Sequence, residues 1–296
     1  MQYLGELSAL LTAFLWSGTS FAFASAVKRI GSLQLNINRM ILASVLLLVT
    51  CSIAGFSFLL STSQIINLII SGVIGLVLGD TFLFKAFQNI GARLSMLLMA
   101  SSPAMSSILA YFFLNEDLPM SGLLGIAVTI IGIAIVVLER KETPDIKYKI
   151  SKIGIVFGLL GALGQAGGLI FAKFAFQEGE VNEMVATFVR IISSAVILLT
   201  GALLMKRYKN PVLLYKNDIK AFGSTIVGTI LGPYLGITFS LVAIANTKVG
   251  IAATLMSTMP IIMLPIIRYI YKERLNWQAI VGAFIAVAGV AILFLR

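Results

Sequence analysis

Few residues in this chain could do chemistry, and Asp80 is the one that stands out. It lies in the run GLVLGDTFLF (75–84) and is the first charge after Arg39, with 40 uncharged residues between them. A carboxylate in such a place can carry a proton, face a substrate cation or pair with a buried base. Little else is available. Histidine is absent, which removes the commonest proton shuttle and metal ligand. Cys51 is alone, so neither an internal disulfide nor a thiolate cluster can form. No Gly-rich phosphate loop, nucleophile elbow or HExxH sequence occurs. No catalytic residue, metal ligand or cofactor is therefore expected, and the chain is not expected to be an enzyme.

The surroundings of Asp80 explain why it matters. Of 296 residues, 59% are hydrophobic and 11% charged, with a mean hydropathy of +1.01. Soluble proteins carry about 25% charged residues. The composition is that of a polytopic membrane protein, whose helical spans each need about 20 apolar residues. Spans are expected at 5–27, 33–55, 65–87, 92–114, 119–138, 153–175, 183–205, 219–243, 248–271 and 275–295. The clearest polar breaks are 139–152 and 206–220. Ala24-Ser25-Ala26 imitates a signal-peptidase site, but no basic segment precedes it, and the first span is expected to be retained. The net charge of +10 does not call for nucleic acid, because membrane proteins gather Lys and Arg in cytoplasmic connections.

An internal repeat organises these spans. Residues 75–103 fall without a gap on 232–260, pairing Gly75, Gly79, Thr81, Phe82, Asn89 and Pro103 with Gly232, Gly236, Thr238, Phe239, Asn246 and Pro260. Glu116 and Glu273, Gly125 and Gly282, and Gly132 and Gly289 follow at the same offset. Gly18 meets Gly167, and Arg39 meets Arg190 after a two-residue insertion. The expected architecture is an all-α polytopic membrane protein of ten transmembrane helices, arranged as two inverted five-helix repeats. The first repeat covers 1–138 and the second 153–296, joined by a basic loop at 139–152. Five is odd, so the second repeat must enter the membrane from the opposite side. That arrangement is typical of secondary transporters, with the substrate near the midplane between the repeats. Eighteen of the 22 Lys and Arg residues fall on the side of the odd connections, the exceptions being Lys173, Arg190, Lys248 and Arg296. Loop charge therefore places both termini outside the cell membrane.

Each half opens its second span with Arg (RMILASVLLLV, RIISSAVILLT). Each half also ends with Pro, an apolar helix, a Glu-x-Leu turn and a Gly-spaced helix. In this the whole chain resembles the drug/metabolite transporter superfamily, EamA type. The resemblance implies ten spans in two repeats and a substrate drawn from amino acids, nucleotide sugars and other metabolites. Many such members carry basic N-termini, which this chain lacks, so their orientation does not transfer.

Single residues can then be weighed. The repeat partner of Asp80 is Ile237, so the scaffold accepts an apolar residue there. A carboxylate at that depth costs about 2.5–3.5 kcal/mol on insertion scales. Function as a proton-coupling group or a counter-charge is the favoured reading; an interhelical ion pair is the structural one. Lys85, about 140° around a helix from Asp80, is a poor intrahelical partner. Arg39 and Arg190 either snorkel to headgroups, share a gating or packing role, or touch substrate. Glu116 and Glu273 are expected to cap the helices that follow them. Trp16, its repeat partner Gln165, and Tyr234 are candidates to line a central cavity, with packing as the alternative. Pro103, Pro233, Pro260 and Pro265 are candidate helix breaks or gates. The paired glycines read as close helix contacts.

The function these residues suggest is export of a small polar metabolite, such as an amino acid, by alternating access. Protons are a candidate coupling ion and the bilayer the obligatory surroundings. A lipid or lipid-linked-sugar carrier is the alternative, and a membrane-embedded enzyme a more distant one. Substrate, direction and oligomeric state are not encoded in any motif of the chain.

Overall fold

The computed structural model describes residues 3–99, 101–117, 119–139, 151–259, 261–262 and 277–294. Among them there is no strand. The elements are α1 (Leu4–Ile30), α2 (Ser32–Ile53), α3 (Thr62–Gly72), α4 (Asp80–Met99), α5 (Ser102–Leu114), α6 (Met120–Glu139) and α7 (Lys152–Gln177). They continue with α8 (Glu183–Leu204), α9 (Pro211–Asn217), α10 (Ile219–Thr229), α11 (Ile237–Asn246), α12 (Val249–Met256) and α13 (Trp277–Phe294). Six helical stretches are long and apolar enough to cross a membrane: 4–27, 32–53, 62–86, 152–177, 183–204 and 219–246. Shorter apolar helices cover 102–114, 120–135 and 280–292.

Two segments depart from α-helical geometry. Val73–Gly79 joins α3 to α4, and Ile230–Gly236 joins α10 to α11, each as a wide π-turn. They occupy matching places in the repeated sequence, 157 residues apart. Each closes with an i→i−5 bond, from the Asp80 N–H to the Gly75 carbonyl and from the Ile237 N–H to the Gly232 carbonyl. Pro233 lies inside the second and lacks the N–H that an α-turn would use. Leu76 stands at its place in the first, so proline alone does not make the turn. What the two segments share are their glycines.

Those glycines let backbones meet. A Cβ on Gly164 of α7 would stand 2.7 Å from the Gly79 Cα, and one on Gly168 would stand 2.9 Å from the Gly75 Cα. Ser71 adds a hydrogen bond of 2.5 Å to the Gly168 carbonyl. The corresponding approach is made by α1, where a Cβ on Gly232 would lie 2.9 Å from the Thr19 methyl and one on Gly236 2.5 Å from the Trp16 indole nitrogen. So α7 packs along α3–α4 and α1 along α10–α11, while α2 packs on α8 and α5 on α12. At the end of each half, α6 crosses α13, with Gly132 against Ala286 and Gly282, and Gly289 against Thr129 and Gly125. In lipid, small residues of this kind set how closely helices approach. Hydroxyls inside the spans satisfy themselves on the preceding turn: Thr12 on Ser8, Ser17 on Ala13, Ser44 on Met40 and Thr229 on Thr225. No water is at hand to do so.

The expected break between the third and fourth spans takes an unexpected form. Helical backbone runs on to Met99, yet the axis folds back. Ile90 packs at Gly154 of α7, whereas Leu98 packs at Gly158, one turn further along α7. A straight helix would have carried Leu98 about 12 Å the other way.

The connections gather at two ends. At one end Arg29 pairs with Asp218 at 2.9 Å, and Gln34 exchanges two 3.0 Å hydrogen bonds with the Lys209 backbone. Asn38 accepts from Tyr208 and donates to Tyr215, both at 2.8 Å. The Ala221 backbone N–H and the Arg29 guanidinium hold the Asp218 carboxyl below the usual carboxylate range. At the other end Ser63 and Asn67 reach Glu178, at 2.5 and 3.2 Å. Thr247 donates to Glu6 at 3.0 Å.

Candidate functional site

The site grows from Asp80. It is the first residue after the first π-turn, held there by the Gly79–Gly164 contact. Gly164 lies 12 residues from the start of α7 and 13 from its end, so Asp80 is level with the middle of that span. Its partner is Arg39 of α2, whose Nη2 donates to the Asp80 Oδ2. The Arg39 side chain is 9% exposed and that of Asp80 18%. Arg39 is held on every side. Its Nε donates to Asn36 at 2.9 Å, and its guanidinium carbon lies 5.1 Å from the Phe23 ring centre and 5.3 Å from that of Phe84. Aromatic faces favour such a cation. Snorkelling to headgroups is thus not what Arg39 does. Lys85 instead stands over the Phe157 ring at 5.3 Å.

Arg190 approaches the same place from α8. It is 2% exposed. The first π-turn accommodates it: a Cβ on Gly75 would sit 2.7 Å from the Arg190 Nη2. No direct ion pair joins Arg190 to Asp80, whose carboxylate is held by Arg39. The Arg190 Nε is buried and makes no hydrogen bond among the described residues. One carboxylate, paired directly with Arg39, thus stands with two arginines that the repeat relates to each other; counted as ionised, the three carry a net +1.

An apolar cluster adjoins it. Met40, Ala43, Leu47, Leu76, Ile191, Ala195 and Ile237 are buried together, with Trp16 and Tyr234 packed against them. Tyr234 also exchanges a 2.8 Å hydrogen bond with Thr50. Gln165 is half-buried, and its backbone nitrogen would be 3.3 Å from a Cβ on Gly79. Pro103 is buried in the first turn of α5, where proline starts a helix rather than interrupting it. Pro233 lies within the second π-turn. Pro260 and Pro265 lie outside the described residues. The structure thus unites Asp80 with Arg39 and brings Arg190 beside them. Trp16 and Tyr234 share the neighbouring cluster, and Pro103 stands apart.

Several residues that sequence reasoning passed over hold this arrangement. Asn36, three residues before Arg39 on α2, fixes its Nε at helical i,i+3 spacing, a signal the sequence did offer, whereas no spacing rule links Arg39 to Phe23 of α1 and Phe84 of α4. Lys173 of α7 caps α11, donating to the carbonyls of Ile244 at 2.7 Å and Thr247 at 3.2 Å. Glu116 was expected to cap the helix after it. Its Oε2 accepts instead from the Val249 N–H at 2.8 Å, at the start of α12. The charge at the end of a helix is compensated in either case, but here across the two halves of the chain. An apolar crevice of about 370 Å³ opens beside Ile69, Val189, Ile192, Ser193, Val196 and Ile197. It includes none of the candidate site residues.

An uncharacterized transporter of Archaeoglobus fulgidus is 22% identical over 293 residues, covering 98% of this chain and 97% of that one. A protein of known crystal structure superposes with a TM-score of 0.78 across 100% of this chain and 98% of its own, at 16% identity. At that identity the likeness speaks to the fold alone. The EamA-like transporter family matches residues 3–138 and again 152–295. Two matches account for nearly all of the chain, so this multi-pass helical membrane protein belongs to the EamA-like transporter family.

Proposed function

We propose that the chain is a secondary transporter that exports a small polar metabolite by alternating access, with Asp80, Arg39 and Arg190 as its central polar site. The observation that carries this reading is the Arg39–Asp80 ion pair of the first half at the first π-turn, level with the middle of α7, with the buried Arg190 of the second half against the same turn. Ten spans in two inverted repeats, 1–138 and 153–296, are the architecture in which such a site would face each side in turn. The equivalent π-turns support that reading, because wide turns are tolerated in membranes where protein lines them. Asp80 is the coupling group we assign, with a proton as its ion. A proton arriving on Asp80 would release Arg39 and unbalance the site. We place the end bearing Arg29, Lys209 and Lys216 in the cytoplasm and both termini outside.

The test compares metabolites released and taken up by cells carrying wild type, Asp80→Asn or no transporter, at matched surface expression. A compound moved by wild type and not by Asp80→Asn supports the reading. Equal movement by both removes Asp80 from the coupling role, and no difference from empty cells in either direction overturns transport. One observation favours a second reading, a lipid carrier. The 370 Å³ crevice between α3 and α8 is apolar and open, as an acyl chain would require. Protection of labelled headgroups in proteoliposomes would distinguish it.

A further inference from the structure

Building on the transport reading, we propose that Arg190 is the receptor for a carboxylate of the transported molecule. Of the two central arginines, Arg39 uses its Nε on Asn36 and its Nη2 on Asp80 and lies against two aromatic rings. Arg190 differs. It is 98% hidden, yet its Nε has no acceptor among the described residues. A buried donor left unpaired is costly, the more so on a charged group. A guanidinium presents Nε and one Nη along a single edge, which matches the two oxygens of a carboxylate. The edge in question approaches the first π-turn, where the missing side chain of Gly75 leaves room for Nη2.

Charge selects among ligands. Two guanidinium groups against one carboxylate leave +1 beside the apolar cluster of Met40, Leu76, Ile191 and Ile237. One added carboxylate makes the site neutral. A phosphate dianion would carry it to −1, and a cation without an acid group would raise it to +2. Low dielectric penalises both of those outcomes. The substrate class is therefore a small organic monoanion with one carboxylate directed at Arg190. Asp80 remains on Arg39, where it can take a proton.

The experiment begins with the compounds that cells expressing wild type release or take up beyond empty cells. Each is then assayed in proteoliposomes beside its primary amide, for wild type, Arg190→Gln and Arg190→Lys. All three proteins are first checked for monodispersity. Carboxylate-bearing compounds should be moved at least tenfold better than their amides by wild type. Arg190→Gln should lose that preference, moving acid and amide alike, and Arg190→Lys should keep part of it with a raised KM. A merely structural Arg190 would lower both activities together and leave the preference intact, and that result overturns the inference. So do substrates that lack a carboxylate. If wild type moves nothing in either direction, the transport reading itself fails and takes this inference with it. Should Arg190→Gln not fold, the ratio of acid to amide in Arg190→Lys decides: an unchanged ratio overturns the assignment and a reduced ratio supports it.

Discussion

Replacing Asp80 by Asn removes one charge and almost no volume, so it isolates the electrostatics of the site. Wild type carries +1 there; Asp80→Asn carries +2, and Arg39→Gln carries zero. Removing one member of a buried pair typically costs about 3–5 kcal/mol, because the other charge is left uncompensated. The Asp80 side chain is 18% exposed, and an asparagine oxygen could still accept from Arg39. About 2–3 kcal/mol is therefore expected, roughly 30- to 150-fold in the unfolding constant. Arg39→Gln forfeits the pair and two ring contacts of about 0.5–1 kcal/mol each, but it leaves Asp80 to balance Arg190. It should cost less than Asp80→Asn. The double variant returns to +1, so its cost should fall at least about 1 kcal/mol below the sum of the singles. Unfolding titrations of the four proteins in mixed micelles measure this cycle directly. Additivity within about 0.5 kcal/mol, or an Arg39→Gln cost above that of Asp80→Asn, would refute the shared-carboxylate arrangement.

Three further outcomes are expected. The Arg29–Asp218 bridge should respond to acid: the Asp218 carboxyl lies lower in the folded protein than its usual value of about 3.9, so its stabilisation is full above pH 4 and is lost as pH falls through the lower folded value. The difference in thermal stability between wild type and Asp218→Asn should be flat from pH 7 to 5 and shrink as the pH falls below 4; a difference that grows as the pH falls below 4 would show that the ionised carboxyl is not stabilising. Gly132→Ala would drive a methyl into the Ala286 backbone and to 2.6 Å from the Gly282 carbonyl, costing about 1–3 kcal/mol. Gly201→Ala, with open space around it, should instead be neutral or stabilising by up to about 1 kcal/mol, and equal melting temperatures for the two would contradict the close α6–α13 crossing. In a Cys51→Ala background, an impermeant maleimide added to intact cells should label Glu180→Cys and spare Lys216→Cys; the reverse pattern would invert the assigned orientation.

Composition alone makes this chain a helical membrane protein, because 59% apolar residues cannot be hidden in a soluble fold of this size. Periodicity and the repeat locate most helices within a few residues, since span length is set by bilayer thickness and the repeated glycines mark where backbones must touch. Asp80 is conspicuous for the same reason: one charge in a long apolar run needs an explanation wherever the run ends up. Its partner is another matter. Arg39 lies 41 residues away on α2, Arg190 lies on α8, and the rings that clamp Arg39 come from α1 and α4. Nothing in linear spacing distinguishes an arginine that faces headgroups from one turned inward. Glu116 shows the same limit, for it caps α12 and not its own successor. The π-turns were equally hidden, since glycine permits a wide turn without requiring one, and Leu76 shows that no proline is needed. Which helices lie side by side is decided by packing between distant segments. That packing is what leaves the Arg39 Nε and Nη2 paired and the Arg190 Nε without an acceptor among the described residues.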